Sequence, residues 1–356
     1  MPVPPSARRR DDCSGRSSDS RRATEGRSRE TLTPSDLVKV LRAQGFDDPE
    51  RWLGYAQGHG FRPTRSERLT ACPECGVESS HPVGQYVYYS TLARLRQCTR
   101  CGLVYSDVRL DPAVIRAHFE RAYKDEQYFA KQRRGVFEQL ARVVDHYAPP
   151  GGSVLDVGGA KGHLLDAVRR RRADLRLALT DVSETACGWA RQVYGLRAIC
   201  GSITTLERLG ERFDVVVLSD VLYYEPDAPA LWRVLPKLVA DDGAVVIRVP
   251  NSFATIRAAQ LALRLISTRN AWAQRDRIAF FNPEHLFVFS RGFLARKLKS
   301  LGFHTVVTHP AELLIPNGKR GLARLLWLWC ARATYALTFR QVILTPSLLV
   351  SARRRS

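Results

Sequence analysis

Val154-Leu155-Asp156-Val157-Gly158-Gly159-Ala160-Lys161-Gly162-His163-Leu164-Leu165 is the stretch that decides the fold of this 356-residue chain. An apolar run of strand character leads into a small-residue turn, and the turn leads into a helical pattern. Junctions of this kind let a ligand approach the backbone and meet the N–H groups at a helix start. A dinucleotide fingerprint counted from Gly158 needs glycine at 160 and 163, where the chain has Ala160 and His163. A phosphate loop needs Gly-Lys followed by Ser or Thr, which also fails. What remains is D-x-G-x-A-x-G, with an acid two residues before the first glycine.

The flanking sequence repeats the strand-then-helix register. Pro149-Pro150-Gly151-Gly152 opens it, and strand-like runs follow at Ser153–Val157, Leu175–Thr180, Phe213–Ser219 and Ala244–Val249. Helical stretches near 162–172, 183–194 and 227–239 separate them, and two more are expected at 112–123 and 126–147. Alternation of this kind predicts an α/β fold, a Rossmann-like doubly wound and mostly parallel sheet with helices on both faces. The run Asp214-Val215-Val216-Val217-Leu218 has the composition of a strand buried on both sides.

The loop resembles motif I of the class I S-adenosylmethionine-dependent methyltransferases, usually [DE]-x-G-x-G-x-G, and its continuation agrees. Leu179-Thr180-Asp181-Val182-Ser183 is similar to the family's acidic strand end. Phe213 to Asp227 is similar to its FDxVxxxxVLEHxPD segment. Pro283-Glu284-His285-Leu286-Phe287-Val288-Phe289-Ser290 and Leu301-Gly302-Phe303 resemble its late elements. The resemblance spans about 126–310, with a last strand at Ser347–Ala352. It implies a cosubstrate site made by Asp156, Gly158, Ala160 and Gly162, with Asp181 on the ribose hydroxyls, Ser202 near the adenine, and Ser219 and Asp220 beyond. Asp181 has a second reading, as the cap of the following helix. Departures are Ala160 in place of the middle glycine, Tyr223-Tyr224 where Glu-His is frequent, and the absence of an acid at Cys200-Gly201-Ser202-Ile203.

Ahead of this fold stand Cys72-Pro73-Glu74-Cys75-Gly76 and, 22 residues on, Cys98-Thr99-Arg100-Cys101-Gly102. Two such knuckles deliver four thiolates to one tetrahedral ion, and the spacing is that of a structural zinc site. With four protein ligands no open position remains for catalysis. The expected organisation is a disordered tail over 1–33, a short helical segment over 34–60, a zinc ribbon over 61–110, and a Rossmann-like methyltransferase domain over 111–356. That domain carries a helical insertion near 318–340.

Lys plus Arg number 55 against 35 Asp plus Glu, a net charge of +20. Such a balance suits polyanions or anionic surfaces, although an Arg-rich chain with one Met also reflects GC-rich coding. No secretory leader and no membrane-length apolar run are found, so a cytoplasmic location is expected. Methyl transfer is an in-line displacement, and a base is needed only for a protonated acceptor. His285, Tyr224 and Tyr223 are the catalytic candidates, with Glu225 beside them. The acceptor expected from this reading is a small molecule, such as a sugar or secondary-metabolite intermediate. An RNA methyltransferase, or a partner-binding module with a vestigial domain, stays open beside it. Oligomeric state is not legible.

Overall fold

The structure, a computed structural model, describes residues 66–88, 91–124, 133–251, 285–311 and 319–355, together with Ser35, Val38, Lys39 and Arg42. The tail over 1–33 and most of the helical segment expected over 34–60 lie outside the described residues. The chain divides into two compact units, Met1–Gly60 and Phe61–Ser356. In the first, the four described residues are helical and fall inside the segment expected over 34–60.

The second unit begins with β1 (Ser66–Arg68), β2 (Ser80–Tyr88), β3 (Thr91–Cys98), β4 (Val104–Ser106) and β5 (Val108–Leu110). Next come α1 (Pro112–Ala122) and α2 (Arg134–Tyr147), then β6 (Ser153–Val157), α3 (His163–Arg171), β7 (Arg176–Asp181), α4 (Glu184–Tyr194) and β8 (Arg197–Cys200). The chain continues through α5 (Ile203–Arg208), β9 (Phe213–Ser219), α6 (Ala228–Leu238) and β10 (Val239–Pro250). It ends with β11 (Phe287–Val288), α7 (Arg291–Ser300), β12 (Phe303–Pro310), α8 (Lys319–Leu337) and β13 (Ser347–Arg354).

Seven strands form the main sheet in the order β12-β13-β10-β9-β6-β7-β8. The pairs β10–β9, β9–β6, β6–β7 and β7–β8 are parallel, and β13 runs antiparallel between β10 and β12. The expected doubly wound sheet is therefore observed, with β8 and β12 as strands that sequence patterning did not supply. Alternation along β9 explains its apolar run: Val216 and Leu218 enter one core, and Val215 and Val217 enter the other. A strand sandwiched between two helical layers has no polar face.

Helix boundaries follow their caps. Asp111 accepts from Ala113 N–H at the start of α1, with Pro112 at its first position. Ser183 accepts from Ala186 N–H at the start of α4, and left-handed Gly195 ends that helix. Of the helix expected over 126–147, the described part is α2, which begins at Arg134 after Arg133 (φ −95°, ψ 0°), and residues 126–132 lie outside the described residues. No helix among the described residues is long and apolar enough to cross a membrane.

A second sheet, β11-β4-β3-β2, is antiparallel. Its last strand comes from far along the chain. Phe287 pairs with Tyr105 and Val288 with Val104, so a segment of the late sequence completes the cysteine module's sheet. One apolar core runs through both, from Leu95, Leu103 and Tyr105 to Trp232, Phe289 and Val245.

Candidate active site and cysteine cluster

Strand order reverses between β6 and β9, where ligand crevices of open α/β sheets lie, outside the carboxyl ends of the strands. A partly open cleft lies there. The β6–α3 loop forms its floor. Gly158 and Gly159 N–H donate to Thr180 O at 2.7 and 3.0 Å, which ties the loop to the end of β7. Gly158 (φ 70°) needs the left-handed region, and a Cβ there would lie 2.5 Å from Val221 Cγ2. Gly162 (φ 81°) is in the same region, with Leu196 Cδ1 2.6 Å from where its Cβ would be. Ala160 adopts φ 48° although it carries a methyl.

Asp181, buried at the tip of β7, accepts from Ala160 N–H at 2.9 Å through one oxygen and from Ser183 N–H at 3.0 Å through the other. Burial pushes its carboxyl up to about 6 against these two backbone bonds. The helix cap is Ser183, so Asp181 is left with spare lone pairs facing the cleft that it lines. The loop that wants glycine and a carboxylate with vacant acceptor sites are the features a nucleoside's ribose would use, and they fit S-adenosylmethionine.

Of the residues expected from sequence, Gly158, Asp181, Ser202, Asp220 and Tyr224 line the cleft together with Glu225. Asp156, Ala160, Gly162, Ser219, Tyr223 and His285 are not in the lining. Asp156 is buried beneath the loop, with Oδ2 2.9 Å from where a Gly159 Cβ would be. Its carboxyl is pushed up to about 8 by burial and by the Asp181 charge.

Tyr223 and His285 stand behind Tyr224. Both are buried, with ring centroids 4.1 Å apart, and His285 lies edge-on to Tyr224 at 5.4 Å. Burial lowers His285 to about 4 and raises Tyr223 well above 10, so both are neutral at pH 7. Asp220, in the left-handed region at φ 60°, pairs with Arg133 at 3.3 Å and with the buried Arg248. Glu225 accepts from Asp227 N–H, and burial raises its carboxyl above the usual range.

Sequence reasoning missed two walls. Phe119 and Tyr123 reach the cleft from α1, with Phe119 T-shaped against Tyr224 at 5.4 Å. The sequence marked only a helix over 112–123 there. Glu120 on the same helix accepts from Glu184 N–H at 2.7 Å, anchoring α1 at the positive end of α4. Ile203, Leu206 and Leu231 supply the apolar side.

The four cysteines converge as their spacing predicts: all Sγ atoms lie within 4.8 Å of one another, with Cys72–Cys101 at 3.6 Å and Cys75–Cys98 at 3.5 Å. Zinc–sulfur bonds of about 2.3 Å in a tetrahedron put sulfurs about 3.8 Å apart, so the set fits a zinc ion. Cys72 N–H bonds to Val77 O and Cys98 N–H to Leu103 O, the tight turns that aim each pair of sulfurs inward. From the later domain, Lys297 pairs with Glu74, and Arg296 donates to Cys101 O at 3.1 Å.

The chain is similar to several known proteins. Among curated proteins, malonyl-[acyl-carrier protein] O-methyltransferase of Halorhodospira halophila is 23% identical over 256 residues, 65% of this chain and 82% of that protein. Solved structures include a SAM-dependent methyltransferase from Archaeoglobus fulgidus, at 15% identity and TM-score 0.42, covering 65% of this chain and all of that one. Another is the N-methyltransferase NodS from Bradyrhizobium japonicum with S-adenosyl-l-homocysteine, at 17% identity and TM-score 0.42, covering 68% of this chain and 98% of that one. The profile of the family described as "Methyltransferase domain" matches residues 128–308. With half of its length matched, the chain belongs to this methyltransferase family and is an S-adenosylmethionine-dependent methyltransferase.

Proposed function

We propose that the enzyme methylates a small-molecule acceptor in the cleft between β6 and β9, with Asp181 as the ribose ligand and a structural zinc in the cysteine module. The observation that carries this reading is the lining itself. It gathers Gly158, Asp181, Asp220, Tyr224 and Glu225, and among the described residues no Lys or Arg lines it. Such a lining offers a phosphate backbone no cation, since the arginines behind it, Arg133 and Arg248, are already paired with Asp220, which weighs against RNA as the acceptor. S-adenosylmethionine, when bound, supplies a methyl group on a cationic sulfonium.

The chain's own contribution is alignment and exclusion of water. Asp181 and the glycine loop fix the nucleoside end, and Ser202 closes the adenine side with Ile203 and Leu206. Phe119, Tyr123 and Tyr224 form the aromatic wall against solvent. Glu225, with its carboxyl raised by burial, takes the proton of an acceptor hydroxyl or amine. Tyr223 and His285 hold Tyr224 in place from behind. In domain terms, a zinc ribbon over 61–110 precedes a methyltransferase domain over 111–356. Among the described residues the cysteines are held as a metal-binding set or as thiols rather than as disulfides, which suits a cytoplasmic location.

Calorimetric titration of S-adenosylhomocysteine into the zinc-loaded protein, with Asp181→Ala alongside, tests the cosubstrate site. Micromolar binding lost in the variant is expected, and equal binding by both removes Asp181 from the site. Transfer of labelled methyl into a cell extract, fractionated by size, tests the acceptor. Label in the small-molecule fraction supports the reading, and label confined to RNA overturns it.

A further inference from the structure

Helix α8 turns two unlike faces to its surroundings. Leu328 and Ala331 are buried, and Tyr335 Oη donates to Thr308 O at 2.8 Å, which fastens the helix to β12. On the opposite face Leu326, Trp329 and Leu337 are 60%, 72% and 80% exposed, and Phe339 just past the helix is 88% exposed. From Leu325 to Leu337 the strip is about 18 Å long at 1.5 Å per residue. Single exposed apolar residues need no explanation, but a continuous strip around a tryptophan does.

The charge of the same segment is one-sided. Between Leu313 and Leu344 stand Lys319, Arg320, Arg324, Arg332 and Arg340, with no Asp or Glu. Along the edge of the strip, between α2, β12 and α8, runs an open groove of about 1090 Å³. Arg142, His146, His309 and Arg332 line it with Tyr147 and Tyr335, and among the described residues no acidic side chain does. The groove lies apart from the cleft at the β6 and β9 strand ends and shares no residue with its lining.

An apolar strip beside a groove whose described lining carries Arg142 and Arg332 and no acid matches the interfacial helices that lie in the headgroup region of a bilayer. A nucleic acid would use the cations and leave the leucines and Trp329 in water. A second copy of this chain, meeting through the same face, would set the cations against themselves. We propose that α8 and its groove dock the enzyme on an anionic phospholipid surface. Leu326, Trp329 and Leu337 enter the acyl boundary, and Arg332 and Arg142 face lipid phosphates.

Flotation of the full chain with vesicles tests this, using phosphatidylcholine alone or mixed with phosphatidylglycerol. The intact protein is expected to rise with the mixed vesicles, to stay down with phosphatidylcholine alone, and to be released by added salt. The double variant Leu326→Ser, Trp329→Ser is expected to lose about tenfold or more in the bound-to-free ratio. Its thermal midpoint should be unchanged, because both side chains are already in solvent. Arg142→Gln with Arg332→Gln should weaken binding and flatten its salt dependence. Failure of the intact protein to float with the mixed vesicles overturns the proposal, as does equal flotation of the double variant. A chain that is dimeric, becomes monomeric in the double variant and ignores vesicles would make this face a contact between copies. Flotation reads no catalysis, so its outcome is independent of the acceptor.

Discussion

Replacing Gly158 by alanine asks whether backbone conformation or side-chain chemistry shapes the cosubstrate loop. Gly158 has φ 70°, a region that costs an L-residue about 1–2 kcal/mol. The new Cβ would lie 2.5 Å from Val221 Cγ2 and 2.8 Å from Val221 Cβ, where carbon atoms ordinarily stand about 3.5–4.0 Å apart. Making that ångström of room in a packed site costs about 1–3 kcal/mol. The expected loss is therefore about 2–5 kcal/mol, a large part of a typical folding free energy. Urea denaturation of wild type, Gly158→Ala, Val221→Ala and the double variant measures it. Val221→Ala removes the nearest clashing atom, so the cycle should show a coupling of about 1–2 kcal/mol while the left-handed cost persists. A loss under about 0.5 kcal/mol, or strictly additive single variants, refutes the reasoning.

Ala160→Gly in the same loop should move the other way. Relief of φ 48° by about 1–2 kcal/mol is offset by about 0.5–1 kcal/mol of unfolded-chain entropy. Stability should rise slightly with S-adenosylhomocysteine affinity unchanged, and tighter binding in calorimetry would show that the methyl does reach the cosubstrate. Asp156, with its carboxyl raised to about 8, keeps in the fold a proton that the unfolded chain sheds near pH 3.9. Folding stability should therefore decline as pH rises from about 4 to 8, and Asp156→Asn should flatten that decline. Urea midpoints on either side of neutrality compare the two proteins, and parallel slopes would exclude the idea. Chelation should remove one zinc per chain and speed amide hydrogen exchange at Ser106, Leu286 and Phe287 while β6 and β7 stay protected. Unchanged exchange at Leu286 would separate the metal from the cleft wall.

The central sheet was legible because β9 and β10 carry apolar runs closed by Ser219 and Pro250, while the shorter β6 and β7 are marked by the glycine turn at Gly158 and by Asp181. The cysteine quartet was legible because metal geometry limits the spacings that work. β8 escaped notice, since Arg197–Cys200 is four residues long with an exposed arginine and has no pattern to read. β11 is only two residues, and nothing local says that Phe287 and Val288 belong beside β4. The same long-range packing placed Phe119 and Tyr123 at the cleft and drew His285 into the interior, where burial lowers its basicity. Motif likeness supplied the side chain but not its surroundings.

The pairing of β11 with β4 also sets an order of events during synthesis. Val104–Tyr105 and Phe287–Val288 are roughly 180 residues apart in the chain. At about 5–20 residues per second, the ribosome takes about 10–40 s to supply the second pair after the first. Through that interval the nascent module carries an uncapped sheet edge, the kind of surface on which chains stick to one another. Early metal capture by Cys72, Cys75, Cys98 and Cys101 would guard it, holding the turn ends of β3 and β4 in register until the distant strand arrives.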